Sequence, residues 1–357
     1  VARAEKLLHR AGALAVGGRV ERAVAAYDKL VDRFDADPDP ETRRVVALAV
    51  FAKALVLARA DRLDEAVAAY DVALDRYRGT SVPELADRVV EALYNRAVAL
   101  DRLERVVEAC DGYDDAIASY RAAPREGARD HYLGALVNRA ATAEELGRPG
   151  EALDGFGEVV ADYRAEPVAE LRHHLQRAQL NSAQILAGLG RVDEALAGYR
   201  DLVAEHGDDA DGESRGLVAD ALVHRGRTLA ERGRLEEALE AFQRVIDDHL
   251  RVAMELASDD ENAPTTFVQR LEALVGKARA LAELGRPERA LESYDEVVSG
   301  YRFGPQPATR ELAVSALRES SVLLSDLGRT AEAVAAYDAA DQLPFEPRQW
   351  GSFWRRG

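Results

Sequence analysis

Side chains able to do chemistry are few in this sequence, and their spacing argues against most reactions. Seven histidines occur, His9, His131, His173, His174, His206, His224 and His249. No pair of them forms a His-Glu-x-x-His helix motif or joins a cysteine at zinc-ligand spacing. His206 and His249 fall in a slot that elsewhere holds Phe34, Tyr77, Tyr120, Tyr163 and Tyr301, which predicts packing roles. Cys110 is the single cysteine and replaces Val67 or Leu153 of equivalent positions, so a buried small hydrophobe is expected rather than a nucleophile. It has no partner for an intrachain disulfide, which fits a reducing compartment, and a cytoplasmic location is expected. Gly207-Asp208-Asp209-Ala210-Asp211-Gly212 invites a calcium-loop reading, but the first ligand position is Gly207 and the last would be Val218. Gly155-Phe156-Gly157 lies within a helical pattern, not after a strand, so it forms no dinucleotide loop. No Walker-type loop is found either. No catalytic, cofactor or metal site is expected, and the chain is read as a non-enzyme, because function must rest on a site.

The elements that carry these residues repeat. Tyr27, Tyr70, Tyr113, Phe156, Tyr199 and Phe242 are 43 residues apart; Tyr294 follows after 52 and Tyr337 after another 43. Four residues before each aromatic stands an alanine, from Ala23 to Ala333, and four before that an arginine, from Arg19 to Arg329. Gly18, Gly147, Gly190, Gly233, Gly285 and Gly328 precede that arginine, with Asp61 and Glu104 in the other two copies. Ala66, Tyr70, Ala73 and Leu74 fall on one helical face, as do Leu85, Val89, Leu93, Ala97 and Leu100 in a preceding helix. Gly-Arg is therefore the tight turn between two antiparallel helices, with the glycine in the left-handed conformation that closes the first. Pro149 and Pro287, just after it, suit a helix's first turn. Pro40, Pro83 and Pro307 mark entry into the next first helix. Small residues recur at Ala54, Ala97, Ala140, Ala183, Gly226 and Ala278, where two helix backbones are expected to approach closely. Copies six and seven are separated by nine extra residues near 250–268, with Ser258 to Pro264 read as an enlarged loop.

Composition bounds the partners. Apolar residues make up 47% of 357 and charged residues 31%, enough for a folded core. The formal charge of −17 argues against a duplex nucleic-acid partner, and no apolar run approaches a membrane span. All but four of the 47 basic residues are arginine, which hints at a GC-rich bacterial genome.

Residues 92–100, Ala-Leu-Tyr-Asn-Arg-Ala-Val-Ala-Leu, followed by Glu108-Ala109 and Tyr113, resemble a tetratricopeptide repeat. The resemblance covers residues 3–343 in eight copies. It implies an all-α, right-handed α-solenoid superhelix in which one array spans residues 1–343 and residues 344–357 form a C-terminal capping tail. Two features depart from the family. The period is 43 where 34 is usual, which predicts a first helix about two turns longer. Lys53, Arg96, Arg139 and Arg225 also stand where leucine is frequent.

The resemblance implies that the first helices line a concave groove holding a peptide or protein segment, as a non-catalytic interaction scaffold or adaptor. Groove candidates are Asn95, Asn138, Asn181 and His224 in one column, with Tyr94, Arg102, Arg177, Arg227, Arg279, Glu144 and Glu145 around them. Asparagine offers both a donor and an acceptor to an extended peptide backbone. The same asparagines could instead bond neighbouring helices, and both readings stay open. The chaperone-tail lysine set of the family is absent. The acidic balance favours a partner with basic segments. The arginine of every copy reads either as an anion ladder or, preferred, as a partner of the acid two or three residues later.

The tail, with Trp350, Phe353, Trp354, Arg355 and Arg356, is aromatic and basic. It is expected to cap the last repeat or to dock in a groove as a tethered ligand. The chain begins at Val1 and its only methionine is Met254. That motivates a second reading, the sensor or regulatory arm of a larger signalling or defence protein.

Overall fold

The computed structural model describes all residues except 210, 256–265, 304–306 and 344–357, together with the backbone alone of 250–255, 302 and 303. No strand occurs among the described residues. Two compact units divide the chain, Val1–Ala178 and Gln179–Gly357. The first contains the hairpins α1 (Ala2–Val16) with α2 (Val20–Phe34), α3 (Pro40–Arg59) with α4 (Leu63–Tyr77), α5 (Pro83–Arg102) with α6 (Val106–Ala122), and α7 (Arg129–Glu145) with α8 (Pro149–Ala165). Helix α9 (Arg172–Gly188) crosses the division and pairs with α10 (Val192–His206). The second unit continues with α11 (Gly212–Glu231) and α12 (Leu235–Glu255), α13 (Phe267–Glu283) and α14 (Pro287–Phe303), and α15 (Pro307–Asp326) and α16 (Thr330–Gln342).

Within each unit every first helix packs on the first helix of the next hairpin, α1 on α3 on α5 on α7 and α11 on α13 on α15. The hairpins thus stack as an α-solenoid, since one helical pair cannot bury its apolar face alone.

The eight hairpin turns are the same object. Gly18, Gly147, Gly190, Gly233, Gly285 and Gly328 have φ between 69° and 75°, and Asp61 and Glu104 adopt 62° and 59°. The following arginine donates its backbone N–H five residues back in every copy, for example Arg62 to the Leu57 carbonyl at 3.0 Å and Arg191 to Leu186 at 2.9 Å. Its own carbonyl accepts from the alanine four residues on, such as Ala66 to Arg62 at 2.9 Å. This left-handed closure satisfies carbonyls that the first helix leaves open. The arginine side chains form forks on the following acid, as Arg62 on Glu65 (2.7 and 2.6 Å) and Arg191 on Glu194 (2.7 Å each). The structural reading of that column holds in those copies.

The extra residues of the 43-residue period lengthen the first helix in four copies, whereas α7 and α9 span 17 residues and follow the short 3-10 turns Glu126–Ala128 and Ala169–Leu171. Helices α3, α5, α11 and α15 each span 20 residues, whereas α2, α4 and α10 span 15. Pro40, Pro83 and Pro307 open their helices, and Asp39 and Asp211 cap α3 and α11 by accepting from the N–H of Thr42 and Ser214, each at 2.8 Å. The basic residue that replaces the family leucine answers an aspartate beside the preceding aromatic. Lys53 pairs with Asp28, Arg96 with Asp71 and Arg139 with Asp114, at 2.6, 2.6 and 2.7 Å.

The core is the repeated seam of small and aromatic residues. Ala54, Ala97, Ala140 and Ala278 have no exposed surface, and Tyr113 and Phe156 have none either. A Cβ on Gly112 or Gly155 would come within 2.9 Å of the Ala97 or Ala140 methyl, so these pairs set the closest helix approach. Tyr337, the aromatic of the last copy, is 54% exposed. His206 and His249 are buried as packing residues, as the repeat predicts. Cys110 is half-buried rather than buried, and desolvation raises its thiol pKa. Helix α12 continues beyond His249 to Glu255, taking up part of the insertion as helix; Ser258 to Pro264 lie outside the described residues. The whole expected tail does so as well. No helix among the described residues is long and apolar enough to cross a membrane.

Candidate functional site

Residues at fixed repeat positions of the first helices change character from copy to copy, and that variation makes the candidate sites. Asn95, Asn138, Asn181 and His224 all lie on first helices and are half-buried. Their surroundings differ. Asn138 donates from Nδ2 to the hydroxyls of Tyr113 (3.3 Å) and Tyr94 (3.5 Å). The Tyr94 ring packs against Gly134, where a Cβ would fall 3.1 Å from a ring carbon. His224 meets Gln184 Nε2 at 2.7 Å and stacks over Tyr199, with ring centroids 6.3 Å apart. Burial, then the charge of Arg227, holds its pKa below the ordinary value. The side chains of Asn95 and Asn181 form no hydrogen bond among the described residues.

Two of the charged candidates are held by acids. Arg102 pairs with Asp61 at 2.6 Å, and Arg279 forks onto Glu319 at 2.8 and 2.6 Å. Glu319 also accepts from the Tyr294 hydroxyl at 2.8 Å and Ser315 Oγ at 2.7 Å, so this cluster is closed within the protein. Arg177, Arg227, Glu144 and Glu145 are exposed. The Glu144 carboxyl is pushed up by desolvation and by the neighbouring Glu145 charge.

Asn95 lies on the rim of a hollow of about 500 Å³ formed by α1, α3 and α5. Leu8, Leu48, Phe51 and Leu55 give it apolar walls, and Glu84, Arg88 and Glu91 stand on one side. Tyr70 contributes its ring to the lining, and its hydroxyl is buried with no hydrogen-bond partner. Burial raises the pKa of that hydroxyl, so it stays a neutral donor. A hollow whose lining includes both an orphaned hydroxyl and an unbonded amide is a place where a ligand's polar groups gain hydrogen bonds that the protein alone lacks. The sequence reading missed this hollow. The signal was present: copy two carries Leu48, Ala52 and Leu55 where copy three carries Glu91, Asn95 and Val98, so apolar residues occupy a face meant for solvent.

In the second unit, α11 and α13 place acids side by side. Gln269 Nε2 donates to Asp220 at 3.0 Å. Burial raises the carboxyl pKa of both Asp220 and Glu272, and the Asp220 charge raises that of Glu272 further. In the first unit, Asp130, His173 and His174 bring donor atoms within 4.8 Å of one another, a grouping that no sequence motif announces.

A tetratricopeptide repeat family model matches residues 14–81, 180–249 and 275–347, more than half of the chain. Similar solved structures include a tetratricopeptide repeat protein from Parabacteroides merdae, 15% identical with a TM-score of 0.53, covering 89% of this chain and 100% of that one. The apo form of the quorum sensor NprR from B. thuringiensis is 13% identical with a TM-score of 0.53, covering 94% and 97%. The apo form of RapI is 14% identical with a TM-score of 0.53, covering 84% and 98%. Likeness at these identities is a likeness of fold. No curated protein sequence matches this chain.

Proposed function

The chain belongs to the tetratricopeptide repeat family, and from that premise we propose that it is a protein-interaction scaffold whose first-helix face holds a peptide or protein segment. The carrying observation is the hollow between α1, α3 and α5, where apolar walls surround the unpartnered Tyr70 hydroxyl and the unoccupied Asn95 amide. Apolar lining with a few oriented polar groups is the composition of a pocket that seats one side chain and fixes its backbone. An apolar or aromatic residue of an extended segment fills the space between Leu48, Phe51 and Leu55. Asn95 then bonds the segment's backbone.

The partner carries basic groups for an acidic patch in the second unit, a feature separate from the hollow of the first. Asp220 and Glu272 face each other with raised pKa values, so an incoming cation relieves their mutual repulsion. The net charge of −17 steers such a segment toward the chain and speeds encounter. Arg227 sets the limit of the acidic patch, since its charge lowers the Glu272 carboxyl.

Panning a random peptide library on the purified chain tests this reading. Enriched peptides should carry an apolar anchor and lysine or arginine, and Leu48→Glu should weaken their binding at least about tenfold. Asn95→Ala should weaken it less, and Arg200→Ala, on an outer helix, should leave it unchanged. Peptides that bind Leu48→Glu as well as wild type would remove the hollow from the function.

A further inference from the structure

Asp130 opens α7, and His173 and His174 open α9; His173 stands 43 residues after Asp130, in the same column of the next repeat. His174 Nε2 lies 2.8 Å from Asp130 Oδ1, and His173 Nε2 lies 3.8 Å from the same oxygen. A tetrahedral ion with bonds of about 2.0–2.1 Å holds its ligand atoms roughly 3.3 Å apart. The two observed separations bracket that spacing, and all three donor atoms lie within 4.8 Å of one another.

The orientation of His173 is that of a liganding imidazole. Its Nδ1 is 3.2 Å from the Glu170 backbone carbonyl. Donation from Nδ1 to that carbonyl selects the tautomer whose lone pair is on Nε2, the nitrogen turned toward Asp130. Glu170 belongs to the short 3-10 turn Ala169–Leu171 that leads directly into α9, so the element that starts the helix also aims the ring. The His174 side chain is 8% exposed, whereas that of Asp130 is 56% exposed, so the grouping is anchored on one side and open on the other.

We propose that Asp130, His173 and His174 form a binding site for one divalent transition-metal ion of the zinc type. Two imidazole nitrogens and one carboxylate select borderline ions such as Zn²⁺ over Ca²⁺ or Mg²⁺, which require oxygen ligands. Three protein ligands and a solvent-facing side leave a coordination position for water or for a partner's donor atom. The ion clips the start of α7 to the start of α9, so it stiffens two successive first helices within the first unit. It also turns a site carrying one negative charge into one carrying a net positive charge. This inference stands apart from the peptide reading, because the hollow involves none of the three residues.

The test uses the full chain stripped of metal with EDTA and titrated with Co²⁺, followed by its visible absorption, then with Zn²⁺ in competition. One ion per chain should bind, and Zn²⁺ should raise the thermal midpoint. His173→Ala should weaken binding at least about tenfold and abolish the thermal shift, and Asp130→Asn should weaken it likewise. His9→Ala, remote in sequence and bonded to its own helix at Glu5, should bind as wild type does. Circular dichroism verifies that the variants fold, and His173→Gln replaces the alanine variant if that one does not. Absence of saturable binding, or equal affinity in folded His173 variants, overturns the proposal.

Discussion

Asn138 donates to the Tyr113 hydroxyl across 3.3 Å, tying the first helix of one repeat to the second helix of the repeat before it. The same column reads differently in other copies. Glu319 accepts from the Tyr294 hydroxyl at 2.8 Å. Gly276 faces Phe242, which has no hydroxyl and whose ring fills the space a Cβ would need. Asn95 leaves the Tyr70 hydroxyl without a partner, and there the hollow opens. One column thus serves packing in some copies and is available for binding in another.

That difference is measurable as stability. Asn138→Ala removes hydrogen bonds to two tyrosine hydroxyls and should cost about 1 kcal/mol. Asn95→Ala removes none and should stay within about 0.5 kcal/mol of wild type. Urea midpoints of the two variants, side by side, check the assignment; equal losses would contradict it.

Phe242 is held between glycines. A Cβ on Gly226 would fall 2.6 Å from the ring, and one on Gly276 would collide with the ring as well. Gly226→Ala should therefore cost about 1–3 kcal/mol by overpacking. Phe242→Leu in the same chain should recover part of the loss, because the smaller side chain vacates the contact. Thermal unfolding of the single and double variants reads the coupling.

Glu104 holds a left-handed φ of 59° at a turn where six copies use glycine. Left-handed backbone costs a residue with a Cβ about 1–2 kcal/mol, offset in part by the extra freedom glycine has when unfolded. Glu104→Gly should stabilise the chain by about 0.5–1 kcal/mol. Gly190→Ala, at φ 75° with open space around it, should destabilise it through the backbone alone. Denaturant midpoints with unchanged slopes are the expected signature.

Acid should weaken the region around His249. Its ring is buried beside Phe267 and bonded to Thr266 Oγ1 at 2.9 Å. Burial, then the charge of Arg270, pushes its pKa down from 6.5 to about 4. The unfolded chain takes up this proton below about pH 6.5 while the folded chain resists until about pH 4. Stability from this residue is therefore full at neutral pH and is lost as the pH falls through that window, by up to about 3 kcal/mol. His249→Phe combined with Thr266→Val restores the aromatic of the other copies and should flatten the dependence. An unchanged pH profile of the thermal midpoint would show that His249 is not responsible.

The sequence by itself determined the repeat, the two-helix brick and its turn. These features are set by local periodicity and by backbone preferences, such as the left-handed residue before each arginine, and local rules survive without tertiary information. The lengthened first helix and the packing roles of His206 and His249 were legible for the same reason. Whether Asn138 or Asn95 is available was not legible, since the answer depends on where a tyrosine hydroxyl from the preceding repeat comes to rest. The hollow beside Asn95 and the approach of Asp130 to His173 and His174 arise only when hairpins stack. Tertiary structure decided them because they depend on distances between side chains on different hairpins, which alternation and spacing along a single helix do not encode.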